Sequence, residues 1–95
     1  MDVMILVSSR QSATLFRHLG TALNRGGIKW ACFFTNDGVE LMKNKTIVEI
    51  VAACDQASVC EHSWQKSSND SCPVELGSQT QNSLMMSNAS RVVSL

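Results

Sequence analysis

The stretch Ile28–Thr35 (IKWACFFT), with the turn that follows it, decides the fold of this chain. Trp30 to Phe34 are apolar throughout, which is typical of a strand buried on both faces of a sheet. Asn36-Asp37-Gly38 then gives a strong turn signal. Because both faces of a parallel sheet are covered by helices, this stretch predicts a strand of such a sheet.

Toward the N-terminus, Val3–Val7 (VMILV) is a second short apolar run that ends in polar residues. Between the two strands, Ser12–Arg25 is predicted as a helix with Ser12 as N-cap and Gly26-Gly27 as the stop. Its apolar residues fall on one face: Leu15, Phe16, Leu19, Ala22 and Leu23. A strand, a helix and a strand in this order predict a βαβ unit with parallel strands.

Toward the C-terminus the alternation of short elements continues. We predict a helix from Asn44 or Thr46 to about Cys54, strands at Ala57–Cys60, Pro73–Leu76 and Arg91–Leu95, short helices at Ser63–Ser68 and Ser83–Asn88, and a loop at Ser78–Asn82. The sequence therefore predicts a single α/β domain over residues 1–95. We expect three α/β/α layers around a mainly parallel sheet of about five strands, in a flavodoxin- or Rossmann-like arrangement.

Charge and length exclude several classes of protein. Eight basic and eight acidic residues give a formal net charge of zero, and the scattered basic residues form no stripe that would bind nucleic acid. No apolar run approaches the roughly 20 residues of a membrane helix, and the first run lacks the cationic start of a signal peptide. We therefore expect a cytoplasmic protein whose cysteines are reduced thiols: Cys32, Cys54, Cys60 and Cys72.

Candidate site residues follow from the sheet topology. Ligands of parallel α/β sheets bind beyond the carboxyl ends of the strands. The residues that follow the predicted strands are therefore the candidates: Ser8, Ser9 and Arg10; Asn36, Asp37 and Gly38; Cys60, Glu61 and His62; and Gln79 to Gln81.

Three segments, in their order along the chain, resemble the DsrE/DsrF/TusD family. They are Cys32–Met42 (CFFTNDGVELM), Val59–Ser63 (VCEHS) and Ser87–Leu95 (SNASRVVSL). The resemblance implies a three-layer fold, homo- or hetero-oligomers, and transfer of persulfide sulfur between protein cysteines without a metal or an organic cofactor. It also implies donor and acceptor proteins as partners, and it places this chain among the members that carry the active cysteine, here Cys60.

The local chemistry agrees with Cys60 as the reactive residue, acting either as a sulfur carrier or as a sulfurtransferase. Cys60 is predicted at a strand-to-helix junction, where free N–H groups favour the thiolate. The sulfur-carrier interpretation predicts that this thiol is exposed. His62 is a candidate proton acceptor or cation, whereas Glu61 is expected to face solvent. The predicted rim of the site comprises Ser8, Ser9, Asn36, Asp37, Gly38 and Glu61.

Other interpretations remain open for the same cysteines. Cys60 is alternatively a small buried hydrophobe in a non-catalytic assembly subunit of the same fold. A redox-sensing module would instead form a Cys60–Cys72 disulfide. A zinc site from Cys54, Cys60, His62 and Cys72 is disfavoured, because no pair of cysteines has the close spacing of zinc ligands.

The remaining conspicuous residues have structural interpretations. We expect Cys32 and Cys54 in the core, Cys72 in a loop, and His18 on a helix surface. Asn36-Asp37-Gly38 is expected to be a turn in which the glycine takes a positive φ. Core or subunit-interface positions are expected for Trp30, Phe33 and Phe34. The adaptable pair Met85-Met86, on a short helix, is expected to form an interface patch.

Overall fold

A computed structural model describes residues 1–95. The strands are β1 (Val3–Val7), β2 (Trp30–Phe34), β3 (Gln56–Cys60), β4 (Leu76–Gly77) and β5 (Arg91–Ser94). The α-helices are α1 (Ala13–Arg25), α2 (Lys45–Ala52), α3 (Glu61–Ser67) and α4 (Gln79–Ser87), with 3-10 segments at Arg10–Ser12 and Asn36–Lys43. The five strands form one sheet in the order β4-β3-β2-β1-β5, and every neighbouring pair is parallel. The predicted three-layer α/β/α class of flavodoxin-like type is confirmed.

The sheet separates two apolar cores. The larger one has 13 buried residues and contains Trp30 and Phe34 from β2, together with residues of α1, α2 and α3. The smaller one has 5 buried residues and joins Phe33 and Cys60 to Met85 of α4. Successive side chains of a strand point to opposite faces. Therefore α1, α2 and α3 cover one face of the sheet and α4 covers the other.

The first βαβ unit is held by an aromatic cluster and one asparagine. The Phe16 ring of α1 lies edge-on to Phe34, with ring centroids 5.3 Å apart. The Trp30 Nε1–H group donates to Asn24 Oδ1 at 2.8 Å, and Asn24 Nδ2 donates to the Ile50 carbonyl at 3.0 Å. A single asparagine thus satisfies the buried indole and ties α1 to α2, as buried polar groups require.

Helix caps explain where α2 and α4 begin. The Asn44 side chain accepts the Ile47 N–H at 3.2 Å, so Asn44, not Thr46, is the cap of α2. The Ser78 hydroxyl accepts the Gln81 N–H at 3.2 Å and starts α4 at Gln79. The loop predicted over Ser78–Asn82 is therefore wrong, because the serine N-cap starts a helix in a segment whose polar residues are also typical of loops.

Two other elements also differ from prediction. Helix α3 begins at Glu61, directly after β3, and not at Ser63, so Cys60 occupies the N-cap position. Strand β4 is reduced to Leu76–Gly77, whereas Pro73–Leu76 was expected. Pro73 has no N–H to give to a neighbouring strand, which disfavours it within the ladder.

The turn after β2 uses its residues differently from the prediction. Asn36 takes the left-handed conformation (φ 50°), and the expectation that Gly38 does so is wrong. Gly38 is required for a different reason: a Cβ there would lie far inside van der Waals contact of the Val7 carbonyl. The 3-10 segment is therefore pressed directly onto the carboxyl end of β1.

None of the helices combines the length and the apolar character needed to cross a bilayer.

Candidate active site around Cys60

The site lies at the carboxyl ends of two neighbouring strands, β3 and β4, whose following helices pack on opposite faces of the sheet. Cys60 ends β3 and pairs with Gly77, which ends β4. Helix α3 leaves β3 toward one face, and α4 leaves β4 toward the other. Such a divergence opens a crevice at the carboxyl ends of the strands, which is where α/β sheets bind their ligands.

Cys60 lies at the floor of a cleft of about 590 Å³ in this crevice. The walls are mostly polar: Glu61, His62, Gln65, Leu76, Gly77, Ser78, Gln79 and Gln81. The residue retains only 6% of its accessible surface, so the prediction of an exposed thiol is wrong. The reason is that β3 runs directly into α3 while α4 packs over its end.

Three polar side chains lie around the Cys60 sulfur and favour its thiolate form. They belong to Ser63 in α3, Thr35 directly after β2, and Gln79 at the start of α4, and the Ser63 backbone N–H acts in the same direction. The Gln79 Nε2–Sγ distance is 3.7 Å. Cys60 is thus part of the smaller apolar core, but its sulfur also has polar neighbours that stabilise a thiolate.

Each of the two hydroxyl groups is itself a hydrogen-bond acceptor. The Asn36 N–H donates to Ser63 Oγ at 2.9 Å, and Gln79 Nε2 donates to Thr35 Oγ1 at 3.2 Å. With its lone pair engaged in this way, each hydroxyl has its own proton free to donate to the sulfur. Chains of hydrogen bonds in one direction strengthen one another.

These donors control the acidity of the thiol. Burial is the largest single influence and raises the pKa of Cys60. The hydrogen bonds from Ser63, Thr35 and Gln79 together outweigh it, so the pKa of Cys60 is lowered from 9.0. No cation is needed for this effect, because the bonds stabilise the charged form directly.

His62 lies between two clefts. It lines the Cys60 cleft and also a second cavity of about 470 Å³, which it shares with Asn36 and Asp37. The hydrogen bonds to the sulfur come from other residues, so His62 is available to a molecule that enters either cleft. Glu61 is exposed at the rim, as expected.

The predicted rim residues divide into two groups. Asn36 and Asp37 lie beside His62, and Glu61 lies beside Cys60. Ser8, Ser9 and Gly38 are elsewhere and have structural roles. The Ser8 N–H donates to the Leu95 carbonyl at 2.9 Å, and Ser9 Oγ accepts the Gln11 N–H at 3.2 Å.

The other three cysteines lie outside the cleft. Cys32 is fully buried, which confirms its core position, and burial raises its pKa. Cys54 is half-buried and packs against the larger core, and a hydrogen bond with Cys32 lowers its pKa. Cys72 is half-buried against the larger core, on the opposite side of the sheet from Cys60, and burial raises its pKa. No group of three or more His, Cys, Asp or Glu side chains is placed to hold a metal ion.

For several residues of the site, the sequence did not predict the role that the structure gives them. Gln79 follows a predicted strand and was among the candidates, but its role was not evident. Thr35 and Ser63 lie in two of the segments that carry the family resemblance, but nothing in the sequence indicated that their hydroxyl groups lie beside Cys60. Asn82, which contacts Gln79, lay in a segment predicted to be a loop.

Comparison with protein-family models, with curated proteins and with solved structures found no match to this chain.

Proposed function

We propose that this chain is a DsrE-like protein of sulfur metabolism that accepts persulfide sulfur on Cys60 and passes it to an acceptor thiol. The observation that carries the proposal is the convergence of Ser63, Thr35 and Gln79 on a recessed Cys60 sulfur. The resemblance of the segments around Cys60 and after β2 to the DsrE/DsrF/TusD family supports the same assignment.

The proposed reaction is a pair of thiolate displacements. The Cys60 thiolate attacks the outer sulfur of a donor persulfide, R–S–SH, so that a new S–S bond forms on Cys60 and the S–S bond of the donor breaks, with its electron pair left on the inner sulfur. The donor leaves as a thiolate, R–S⁻, and Cys60 becomes Cys–S–SH. An acceptor thiolate then attacks the outer sulfur and restores the Cys60 thiolate. No oxidant or reductant enters, because the outer sulfur is handed from one thiolate to the next.

The surrounding groups have distinct roles in this scheme. Ser63, Thr35 and Gln79 stabilise the Cys60 thiolate before attack and again when Cys60 is the leaving group. His62 lies at the mouth of the same cleft and exchanges a proton with the donor or acceptor sulfur. Because the thiol is recessed, the partners are donor and acceptor proteins that present a cysteine on a protruding segment.

We further propose a cytoplasmic setting, in which cellular thiols keep the four free cysteines reduced. Homo- or hetero-oligomers are also part of the proposal. Apolar side chains remain uncovered on the α4 side of the sheet, where Leu84 is 60% and Val92 is 40% exposed. The same surface favours the second candidate, a non-catalytic assembly subunit. The redox-sensing alternative is less favoured, because Cys60 and Cys72 pack against different cores.

A transfer assay tests the proposal. Glutathione persulfide is mixed with a small acceptor thiol, and the initial rate of sulfur transfer is measured with and without protein. Wild type and Cys54→Ser are expected to accelerate transfer equally, and Cys60→Ser is expected to give the uncatalysed rate. Cys54 is a suitable control because it is the other thiol whose pKa is lowered. Equal rates for wild type and Cys60→Ser would leave the assembly role as the better account.

A further inference from the structure

Two side-chain amides form a chain behind the Cys60 sulfur. Asn82 Nδ2 donates to Gln79 Oε1 at 3.3 Å. Gln79 Nε2 in turn donates to Thr35 Oγ1 at 3.2 Å and to Cys60 Sγ at 3.7 Å. Asn82 makes no hydrogen bond to the sulfur. It bonds to the carbonyl oxygen of the Gln79 amide, whose NH₂ group bonds to the sulfur.

The orientation of the Gln79 amide matters because its two ends have opposite polarity. A thiolate only accepts hydrogen bonds, so the NH₂ end stabilises it and the carbonyl end would repel it. Gln79 is an exposed side chain at the start of α4, so the orientation of its amide depends on the hydrogen bonds that it makes. The contact from Asn82 engages the carbonyl oxygen and thereby keeps the NH₂ group toward Cys60 and Thr35.

Asn82 has an unusual environment for a residue with a purely structural role. It is buried, with 8% of its surface accessible, and its Oδ1 atom has no hydrogen-bond partner. A buried, unpaired carbonyl oxygen lowers stability, so an apolar side chain of similar size would suit this position better. Natural proteins retain such unfavourable groups mostly at functional sites.

We propose that Asn82 is a positioning residue that fixes the Gln79 amide with its NH₂ group toward the Cys60 sulfur. The inference rests on the proposed function, in which Cys60 works as a thiolate. The neighbouring Gly77 leaves room beside the cleft for the side chains of Gln81 and Ser58, with which a Cβ at this position would collide.

The titratable groups near the sulfur do not change in the test. Glu61 and His62 of α3 line the same cleft, and Asp37 of the 3-10 segment lines the adjacent one. The residues that α4 contributes to the cleft, Gln79 and Gln81, are uncharged. Substitutions of Gln79 and Asn82 by leucine therefore alter hydrogen bonding at Cys60 without adding or removing a charge.

The test measures the rate of Cys60 alkylation by iodoacetamide as a function of pH, with the modified peptide quantified by mass spectrometry. The proteins are wild type, Gln79→Leu, Asn82→Leu and the double variant. Gln65→Leu is the matched control, because Gln65 lines the same cleft but bonds only to Glu61. Thermal unfolding of each protein is recorded in parallel.

Gln79→Leu is expected to slow alkylation at pH 7 about three- to tenfold. Asn82→Leu is expected to slow alkylation as well. The Asn82 substitution is expected to add no effect when Gln79 is already leucine, because it acts only through that amide. The unfolding midpoint of Asn82→Leu is expected to equal or exceed that of wild type. If Asn82→Leu does not fold, Asn82→Ser, which is too short to reach Gln79, carries the same expectation for alkylation.

Additive effects in the double variant, or an unchanged alkylation profile with a lowered midpoint, would overturn the positioning role. The outcome is separable from that of the proposed function. Alkylation reports the thiolate whether or not Cys60 carries sulfur in the cell. A coupled effect of Asn82 and Gln79 in a protein that accepts no persulfide would retain this inference and reject the sulfur-carrier function.

Discussion

The Asn36 backbone N–H donates to the Ser63 hydroxyl at 2.9 Å, across 27 residues of sequence. This contact joins the 3-10 segment after β2 to the first turn of α3, directly beside the Cys60 sulfur. Asn36 reaches the position with a positive φ of 50°, which asparagine tolerates better than most residues. The turn after β2 and the cysteine that ends β3 therefore belong to one site.

Substitution of Ser63 tests the hydrogen bonds that lower the pKa of Cys60. Ser63→Ala removes the side-chain donor and is expected to raise that pKa, because the thiolate loses a direct hydrogen bond. Iodoacetamide alkylation at pH 7 should slow by about three- to tenfold. Ser67→Ala on the same helix is the control, since Ser67 bonds to Glu40 and not to the sulfur. Equal rates for the two variants would argue against the role of Ser63.

Substitution of His62 separates acidity of the thiol from proton transfer to the partner. His62→Ala is expected to leave the pH profile of Cys60 alkylation unchanged, because other residues provide the bonds to the sulfur. Persulfide transfer should slow by at least about tenfold, since the leaving thiolate loses its proton donor. Both rates are measured on the same preparation. A transfer rate equal to that of wild type would remove His62 from the mechanism.

Substitution of Gly38 tests the close approach of the 3-10 segment to β1. Gly38→Ala is expected to lower the free energy of unfolding by about 2–3 kcal/mol, because the added methyl group collides with the Val7 carbonyl. Gly26, at the end of α1, has a φ of −79°, which any residue can adopt. Gly26→Ala is therefore expected to change the free energy of unfolding by less than about 1 kcal/mol. Urea unfolding of the three proteins provides the comparison. A similar stability for both variants would contradict the tight packing at Gly38.

The contact between the 3-10 segment and α3 should depend on pH. Lys43 and Ser67 both bond to the Glu40 carboxylate, at 2.7 and 2.6 Å, and together they lower the pKa of Glu40 from 4.5. Because the folded-state pKa is the lower one, the carboxylate stabilises the fold fully above about pH 4.5 and loses this contribution as pH falls through the folded-state pKa. The pair is partly exposed, so the contribution is at most about 1 kcal/mol.

Glu40→Gln checks this expectation. The difference in unfolding free energy between wild type and variant should favour wild type at pH 7 and shrink as the pH falls below 4.5. Other carboxyl groups are common to both proteins and cancel in the difference. A difference that stays constant over this range would show that the charge of Glu40 has no part in the contact.

The sequence predicts the fold well where the signal is local. The apolar runs Val3–Val7 and Trp30–Phe34 became strands at the centre of the sheet, and the caps Asn44 and Gly26-Gly27 bound their helices. The C-terminal third was less predictable, because β4 has two residues and α4 has little apolar patterning. β4 and α4 are stabilised by contacts with β3, and the spacing of apolar residues within each segment does not predict such contacts.

The site was predictable in part for the same reason. Strand ends and helix starts are local features, so Cys60 and its neighbours Glu61 and His62 could be identified from the sequence. The groups that set the acidity of Cys60 come from β2 and α4, and their convergence depends on strand order. The depth of the sulfur also depends on how α4 packs over β3, which explains why an exposed thiol was expected.

Intact-mass spectrometry of the protein after exposure to glutathione persulfide tests the central claim most directly. Wild type and Cys54→Ser should each gain about 32 Da, the mass of one sulfur atom, and lose it again when an acceptor thiol is added. Cys60→Ser should gain nothing under the same conditions. Equal sulfur loading of wild type and Cys60→Ser, or no loading of wild type, would contradict a sulfur-carrying role for Cys60.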